Sequence, residues 1–319
     1  MALNKTLISI VIPAYNEADC VDELYRRLVN LFNIEDAYDF EVIIVENGSM
    51  DQTWEKLLNI HSKDSRIKVL KLSRNFRMDG GITAGLDYVS GAACVLMTAD
   101  LQDPPEFISN FLREWEKGWE NVFGIVTKRK GTRLIRRLNS QIFYKLAGYM
   151  TDGNLPKNAS DFRLVDRKVY ETIKSMQERN RFVRGLFAWS GFRSIGIPIE
   201  RSPRFGGISN AHTTEVLDLA VRGIFAHSLK PLRLITLLGL TLFVLSISIL
   251  VPLSIIWFTQ GVPFAGFGTI FGVFLLFHGL LFLILGICGE YLGLIYEEVK
   301  QRPNFIVSEM LGLSNSKRI

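Results

Sequence analysis

Cysteine is scarce, and the three present, Cys20, Cys94 and Cys288, are widely spaced and odd in number. That excludes a disulfide framework and a cysteine-built metal site, and suits reduced structural thiols on the cytosolic side of a membrane. Zinc-finger spacings and RNA-binding signatures are also missing. The net charge of +5 therefore does not point to nucleic acid, and an anionic membrane or an anionic substrate remains. The start of the chain, Met1 to Lys5, lacks a basic region followed by a long apolar stretch, so no signal peptide is expected. The longest absence is of charge: from Leu234 to Gly289 no Asp, Glu, Lys or Arg occurs. The chain thus has two compartments, a charged one of ordinary globular composition and an apolar one.

Within the apolar compartment, Leu232 to about Phe258 and Phe267 to about Gly289 are each long enough for a helix crossing the ~30 Å hydrocarbon layer. A buried soluble hairpin is the alternative, but soluble cores seldom hold two consecutive helices that are apolar on every face. Pro252 would kink the first span or end it early. The connector, Thr259 to Gly266, is uncharged, while Lys230 and Arg233 precede the first span and Lys300 and Arg302 follow the second. The positive-inside rule then puts both termini in the cytoplasm, with a two-span protein in the plasma (inner) membrane. Trp257 would anchor the far interface, and His278 would make a polar contact between helices. Glu215 to His227 carries apolar residues at helical spacing, either a helix lying on the membrane surface or an ordinary domain helix. The expected organisation is a cytoplasmic domain over 1–212, an interfacial helix over 213–230, two spans over 231–290 and a cytoplasmic tail over 291–319.

The first half alternates strand-like runs, Leu7–Ile12, Phe40–Val45, Ile67–Leu72, Ala93–Met97 and Val122–Val126, with helical patterns over Asp19–Phe32, Gln52–His61, Gly81–Val89 and Pro105–Lys117. Short β-branched runs between helices indicate an α/β fold with a mainly parallel sheet covered on both faces. Ligands bind such a sheet beyond the carboxyl ends of its strands. The segments found there are Pro13–Glu17, Glu46–Asp51, Ser73–Phe76 and Thr98–Glu106. None carries GxGxxG or GxxxxGK[ST], which argues against a dinucleotide fold and a P-loop. Asp100, Gln102 and Asp103 suit a hard cation whose shell a diphosphate completes. Capping of the helix after Pro104-Pro105 explains Asp103 equally well.

Pro13-Ala14-Tyr15-Asn16-Glu17, Val45-Glu46-Asn47-Gly48-Ser49-Met50-Asp51, Leu72-Ser73-Arg74-Asn75-Phe76 and Asp100-Leu101-Gln102-Asp103-Pro104-Pro105 resemble the family 2 glycosyltransferases. Lys128–Gly131, Phe143–Leu146, Asp161–Leu164, Arg181–Leu186 and Gly289–Gly293 narrow the resemblance to the GtrB-like polyprenyl-phosphate glycosyltransferases. It covers nearly the whole chain, in order. It implies a GT-A-type mainly parallel sheet domain followed by a two-helix transmembrane hairpin. The implied activity is metal-dependent transfer of a sugar from a nucleotide sugar, a UDP-sugar foremost, to polyprenyl phosphate, undecaprenyl phosphate foremost. Mg²⁺ or Mn²⁺ is the implied cofactor. Expected partners are these two substrates, the membrane and further copies of the chain, without nucleic acid. An inactive member acting as a membrane scaffold and a processive polysaccharide synthase are the rival readings; two spans are few for threading a polymer.

The resemblance also implies roles. Asp100, with Gln102, holds the metal, and Pro13, Tyr15, Asn16, Glu17, Glu46 and Asn47 surround the base and ribose. Asp51 caps the helix that follows. Arg201, Arg204 and Ser209 lie near the donor diphosphate. Asp161 steers the reacting phosphate or fixes Arg163, or is a structural salt-bridge partner. Arg129, Arg136, Arg137 and Ser140 grip the acceptor phosphate. Their segment, Lys128 to Lys145, has a basic face beside an apolar one, as a helix meeting anionic headgroups does; a solvated charge run is the alternative. Four positions depart from the family pattern. Glu46-Asn47 replaces a pair of acidic residues, Thr98-Ala99-Asp100 replaces Asp-x-Asp, Val126 replaces an arginine, and Asn210-Ala211 follows Gly207-Ile208-Ser209 in place of Lys and an aromatic residue. These imply either a different donor or weaker activity.

Overall fold

The computed structural model describes residues 5–129, 159–179, 181–202, 205 and 266–313, with scattered positions between 237 and 259. Its first half reads β1 (Thr6–Ala14), α1 (Ala18–Ile34), β2 (Tyr38–Glu46), α2 (Thr53–Lys63), β3 (Ile67–Leu72), α3 (Arg77–Asp87) and β4 (Ala93–Leu96). A 3-10 turn (Pro105–Phe107), α4 (Ile108–Glu116), β5 (Asn121–Arg129), β6 (Ala159–Asp166), α5 (Arg167–Ser175), α6 (Val183–Trp189) and β7 (Ser194–Arg201) follow. The last elements are α7 (Phe267–Lys300) and β8 (Val307–Leu311).

The eight strands form one sheet in the order β7-β5-β6-β4-β1-β2-β3-β8. β6 and β8 run against the others, and every remaining pair is parallel. Because side chains alternate across a strand, each central strand feeds two cores. Ile8, Ile10 and Ile12 face the layer of α1, α2 and α4, with Val42, Ile44, Val69 and Val95 beside them. Val11 faces the opposite layer with Ile43, Val45, Leu70, Leu96 and Val165, against α3, α5 and α6. α3 lies close to the sheet because Gly85 has no side chain. A Cβ there would meet Val11 Cγ1 at 2.3 Å.

All five expected strands form, and the four helices expected over the first half form within a few residues of their expected limits. The end of the chain returns to the sheet. α7 continues to Lys300, where Gln301 stops it with a left-handed φ of 51°. β8 then joins the sheet edge antiparallel to β3, with a Lys71–Glu309 ion pair at 3.0 Å. The Ser73 N–H donates to the Ile306 carbonyl at 2.9 Å. The sheet edge would otherwise leave a row of unpaired backbone groups, and β8 covers it.

Within α7, Phe277–Lys300 is long and apolar enough to cross a membrane and is unburied. Phe274, Phe277, Leu281 and Leu285 on it are exposed. It is the one such helix among the described residues. The interfacial helix over 213–230, and the first span except for a few scattered positions, lie outside them.

Candidate active site

The carboxyl ends of β1, β2 and β3 carry loops that are tied to one another. Asn16 adopts a left-handed φ of 54°, which asparagine tolerates better than most residues. Its N–H donates to Ser49 Oγ at 3.0 Å, and its Oδ1 accepts from the Met50 N–H at 2.8 Å. The Glu17 N–H donates to Thr53 Oγ1 at 2.9 Å. Asp51 accepts from the Ala18 N–H at 3.1 Å and the Thr53 N–H at 3.0 Å, joining the first loop to the start of α2. Buried Glu46 accepts from the Ser49 N–H and closes its own turn.

Asn47, also buried, clamps the third loop. Its Nδ2 donates to the Arg77 carbonyl at 2.8 Å and its Oδ1 accepts from the Phe76 N–H at 2.9 Å. Gly48, at φ 74°, lies against the backbone of Arg74, where a Cβ would sit 2.6 Å from the carbonyl carbon. Glu46, Asn47 and Asn16, expected around the base and ribose, hold these loops together. Pro13 and Tyr15 are half-buried beside them.

The loop after β4 holds Asp100. Its Oδ1 accepts from Thr98 Oγ1 at 2.7 Å and from the Gln102 N–H at 3.2 Å. Neither Asp100 Oδ2 nor the Gln102 side-chain amide makes a hydrogen bond among the described residues. The Phe205 N–H reaches the Asp100 carbonyl at 3.4 Å and the Ser202 N–H reaches the Gln102 carbonyl at 3.3 Å, so these two residues lie against this loop. Asp103 does not cap the turn that follows it, which has no side-chain cap. It is fully buried and accepts from Arg201 Nε at 2.8 Å and Nη2 at 2.9 Å. Arg201 Nη2 also donates to Ser160 Oγ at 2.9 Å. Arg201, expected at the donor diphosphate, therefore braces Asp103 and β6.

Asp161 is held by Arg184 through a two-point contact, Nε to Oδ1 at 2.8 Å and Nη2 to Oδ2. Burial opposes ionisation, but the Arg184 charge and hydrogen bonds, with Arg163 and Arg201 nearby, draw the Asp161 carboxyl down to about 2. The expected contact with Arg163 is not a hydrogen bond. Arg163 donates instead to the Ser160 carbonyl at 3.1 Å and lies 4.6 Å from the Phe187 ring centre. Burial lowers its guanidinium to about 10. Arg129 ends β5 in register with Arg201, its side chain outside the described residues. Arg136, Arg137, Ser140, Arg204 and Ser209 also lie outside them.

The sequence profile described as "Glycosyl transferase family 2" matches residues 9–174, from β1 into α5. The chain belongs to glycosyl transferase family 2. An uncharacterized glycosyltransferase of Synechocystis sp. is 39% identical over 96% of this chain and 96% of its own. The SfII prophage-derived bactoprenol glucosyl transferase of Shigella flexneri is 34% identical over 95% of this chain and 97% of its own. A prophage bactoprenol glucosyl transferase homolog of Escherichia coli is 31% identical over 95% and 99%. Glucosyl-3-phosphoglycerate synthase from Mycobacterium tuberculosis, solved with Mn²⁺, UDP-glucose and phosphoglyceric acid, is a distant likeness. It is 17% identical, with a TM-score of 0.46 over 69% of this chain and 78% of its own.

The family 2 domain has a GT-A-like α/β architecture with a mostly parallel sheet. Among the described residues no cluster of three metal-ligating side chains exists. Asp100 Oδ2 and the Gln102 amide nevertheless fit a hard cation that brings most of its oxygen ligands with it, as one bound to a diphosphate does. Sequence reasoning gave no role to Arg184 or Ser160 and did not pair Asp103 with Arg201. Arg184 lay inside a recognised motif, but nothing local told that it meets Asp161.

Asp79, in the first turn of α3, accepts from the Val183 N–H at 3.0 Å and links α3 to α6. Burial pushes its carboxyl from an ordinary 3.8 up to about 6, against the Val183 hydrogen bond; Asp161 adds to the rise, and Arg184 and Arg181 oppose it. Between those values the folded state holds a proton that the unfolded state has lost, so this group makes stability fall as pH rises from about 3.8 to about 6. Asp79→Asn keeps an acceptor for Val183 and removes the titration. Unfolding midpoints of wild type and variant should diverge across that window, and parallel curves would contradict the assignment.

Proposed function

We propose that the protein transfers a sugar from a nucleotide sugar, a UDP-sugar foremost, to polyprenyl phosphate, undecaprenyl phosphate foremost, at the cytoplasmic membrane face. The reading rests chiefly on end-to-end similarity to bactoprenol glucosyl transferases, 34% over 95% of the chain, together with the retained Asp100 loop. The bond between the anomeric carbon and the diphosphate breaks, a lipid phosphate oxygen bonds to that carbon, and the nucleoside diphosphate leaves. The acceptor is already an anion near neutral pH, so positioning and charge balance carry the catalysis.

In this reading the loops joined by Asn16, Glu46 and Asn47 form the wall of the nucleotide pocket. Asp100 and Gln102 hold Mg²⁺ or Mn²⁺, which when bound offsets charge on the departing diphosphate. Asp161, kept ionised by Arg184, orients cationic groups beside the incoming phosphate. Arg129, Arg136, Arg137 and Ser140 grip that phosphate, since guanidinium offers paired hydrogen bonds. The apolar, unburied α7 supports membrane attachment. Two spans with both termini cytoplasmic follow from the charges flanking the apolar stretches.

The test is incubation of membranes containing the protein with a panel of radiolabelled nucleotide sugars, followed by lipid extraction. One nucleotide sugar should label a phosphate-linked polyprenyl lipid. Absence of labelled lipid across the panel would favour an inactive membrane scaffold. With the active donor saturating, Arg136→Ala/Arg137→Ala should raise the acceptor KM at least about tenfold, each lost charge-assisted contact costing about 1.5–3 kcal/mol before solvent exposure reduces it. Donor binding, read by calorimetry, should be nearly unchanged. An unaltered acceptor KM would make the basic segment a solvated helix.

A further inference from the structure

The polar groups around Asp100 form a chain leading away from the donor pocket. Arg201 grips Asp103 at 2.8 and 2.9 Å, and Ser160 Oγ, on β6 beyond the intervening β5, accepts from Arg201 at 2.9 Å. Asp103 Oδ2 lies 3.3 Å from Thr98 Oγ1, whose shorter contact, 2.7 Å, is to Asp100 Oδ1. A hydroxyl has one proton to donate. The distances assign it to Asp100, with the buried Asp103 carboxylate as the competing acceptor.

Resting on the metal-dependent reading above, we propose that Thr98 is a positioning residue for Asp100, backed by the Asp103–Arg201 pair. The loop needs such a restraint. Leu101, directly after Asp100, has a left-handed φ of 59°, a conformation that leucine rarely adopts and that tertiary contacts must impose. Buried Leu101 anchors the apolar side of the turn. On the polar side, Thr98 Oγ1 and the Gln102 N–H both donate to Oδ1, which fixes the carboxylate rotamer and leaves Oδ2 for a ligand. Thr98 thus acts as an outer partner that aims a single metal-ligating carboxylate. Arg201 acts one step further out, holding Asp103 in place through two hydrogen bonds so that the Thr98 side chain has one favoured rotamer.

The test uses full-length protein in detergent and reads Mn²⁺ binding directly, by the loss of the free-ion paramagnetic resonance signal in the presence of UDP. Thr98→Val keeps the shape and removes the hydroxyl, and should weaken Mn²⁺ binding about tenfold. Thr98→Ser should stay within about twofold of wild type, since a charge-assisted hydrogen bond depends on the hydroxyl and not on the methyl. Thr98→Ala, a second hydroxyl-free variant, should match Thr98→Val. Asp100→Asn is the reference for loss of the ligand itself. Wild-type binding by Thr98→Val, or a loss in Thr98→Ser equal to that in Thr98→Val, overturns the positioning role. If Asp100→Asn is weakened at the same time, the metal reading survives. UDP-dependent Mn²⁺ binding absent from wild type, or unchanged in Asp100→Asn, refutes the metal reading and this proposal with it.

Discussion

Replacing Asp100 with asparagine is expected to cut sugar transfer by about a hundred- to a thousandfold while the domain unfolds at the wild-type temperature. The size is that of removing one preorganised electrostatic contact to a leaving group. Asparagine keeps an oxygen for the Thr98 hydroxyl and the Gln102 N–H, which meet Asp100 at 2.7 and 3.2 Å. It loses the negative charge that a cation requires. Asp100 is half-buried on a loop beyond the sheet, so its carboxylate contributes little to the core. The measurement is labelled polyprenyl lipid formed per minute, alongside thermal unfolding of the same preparation. Transfer at the wild-type rate, whether in excess divalent cation or in chelator, would remove Asp100 from the reaction.

Arg201→Leu is expected to have the largest effect on stability, about 3 kcal/mol, the lower end of what stranding a buried charge costs. Asp103 is fully buried, and Arg201 supplies both cationic hydrogen bonds that it receives. Because the Arg201 side chain keeps 22% of its surface exposed, the pair is partly solvated and the lower figure applies. A double variant, Arg201→Leu with Asp103→Leu, should regain most of the loss, since removing both partners leaves no uncompensated charge. Denaturant unfolding of the single and double variants separates this from a general packing defect. A double variant no more stable than Arg201→Leu would mean that the lost contact is to Ser160 or to the apolar stem of the arginine.

The same residues mark how far the chain could be read before folding. β1 to β4 were legible because Ile8, Ile10 and Ile12 alternate with Val11, and such periodicities arise from bonds between near neighbours. The polar loops at the strand ends were legible as candidates because a parallel sheet binds ligands beyond the carboxyl ends of its strands. The apolar run from Leu234 to Gly289 spoke through composition alone. The contacts themselves were not legible. Asn47 sits in a recognised motif, yet its amide clamps the Phe76 N–H, 29 positions away. Asp103 looked like a helix cap from its neighbours and is instead the partner of Arg201, 98 positions later.

What the sequence determined by itself is the α/β class, the order of strands and helices, the polar loops at the strand ends and the apolar segment that follows them. These follow from short-range rules, in which side-chain alternation, helical spacing and local charge act within a few residues. Only the tertiary structure decided that Arg184 holds Asp161, that Arg201 braces Asp103, and that β8 closes the sheet edge beside β3. Each of these is a pairing of charges or backbone groups that many other residues in the chain could have satisfied. The choice among them is made by which strands lie side by side, and local pattern carries no record of that.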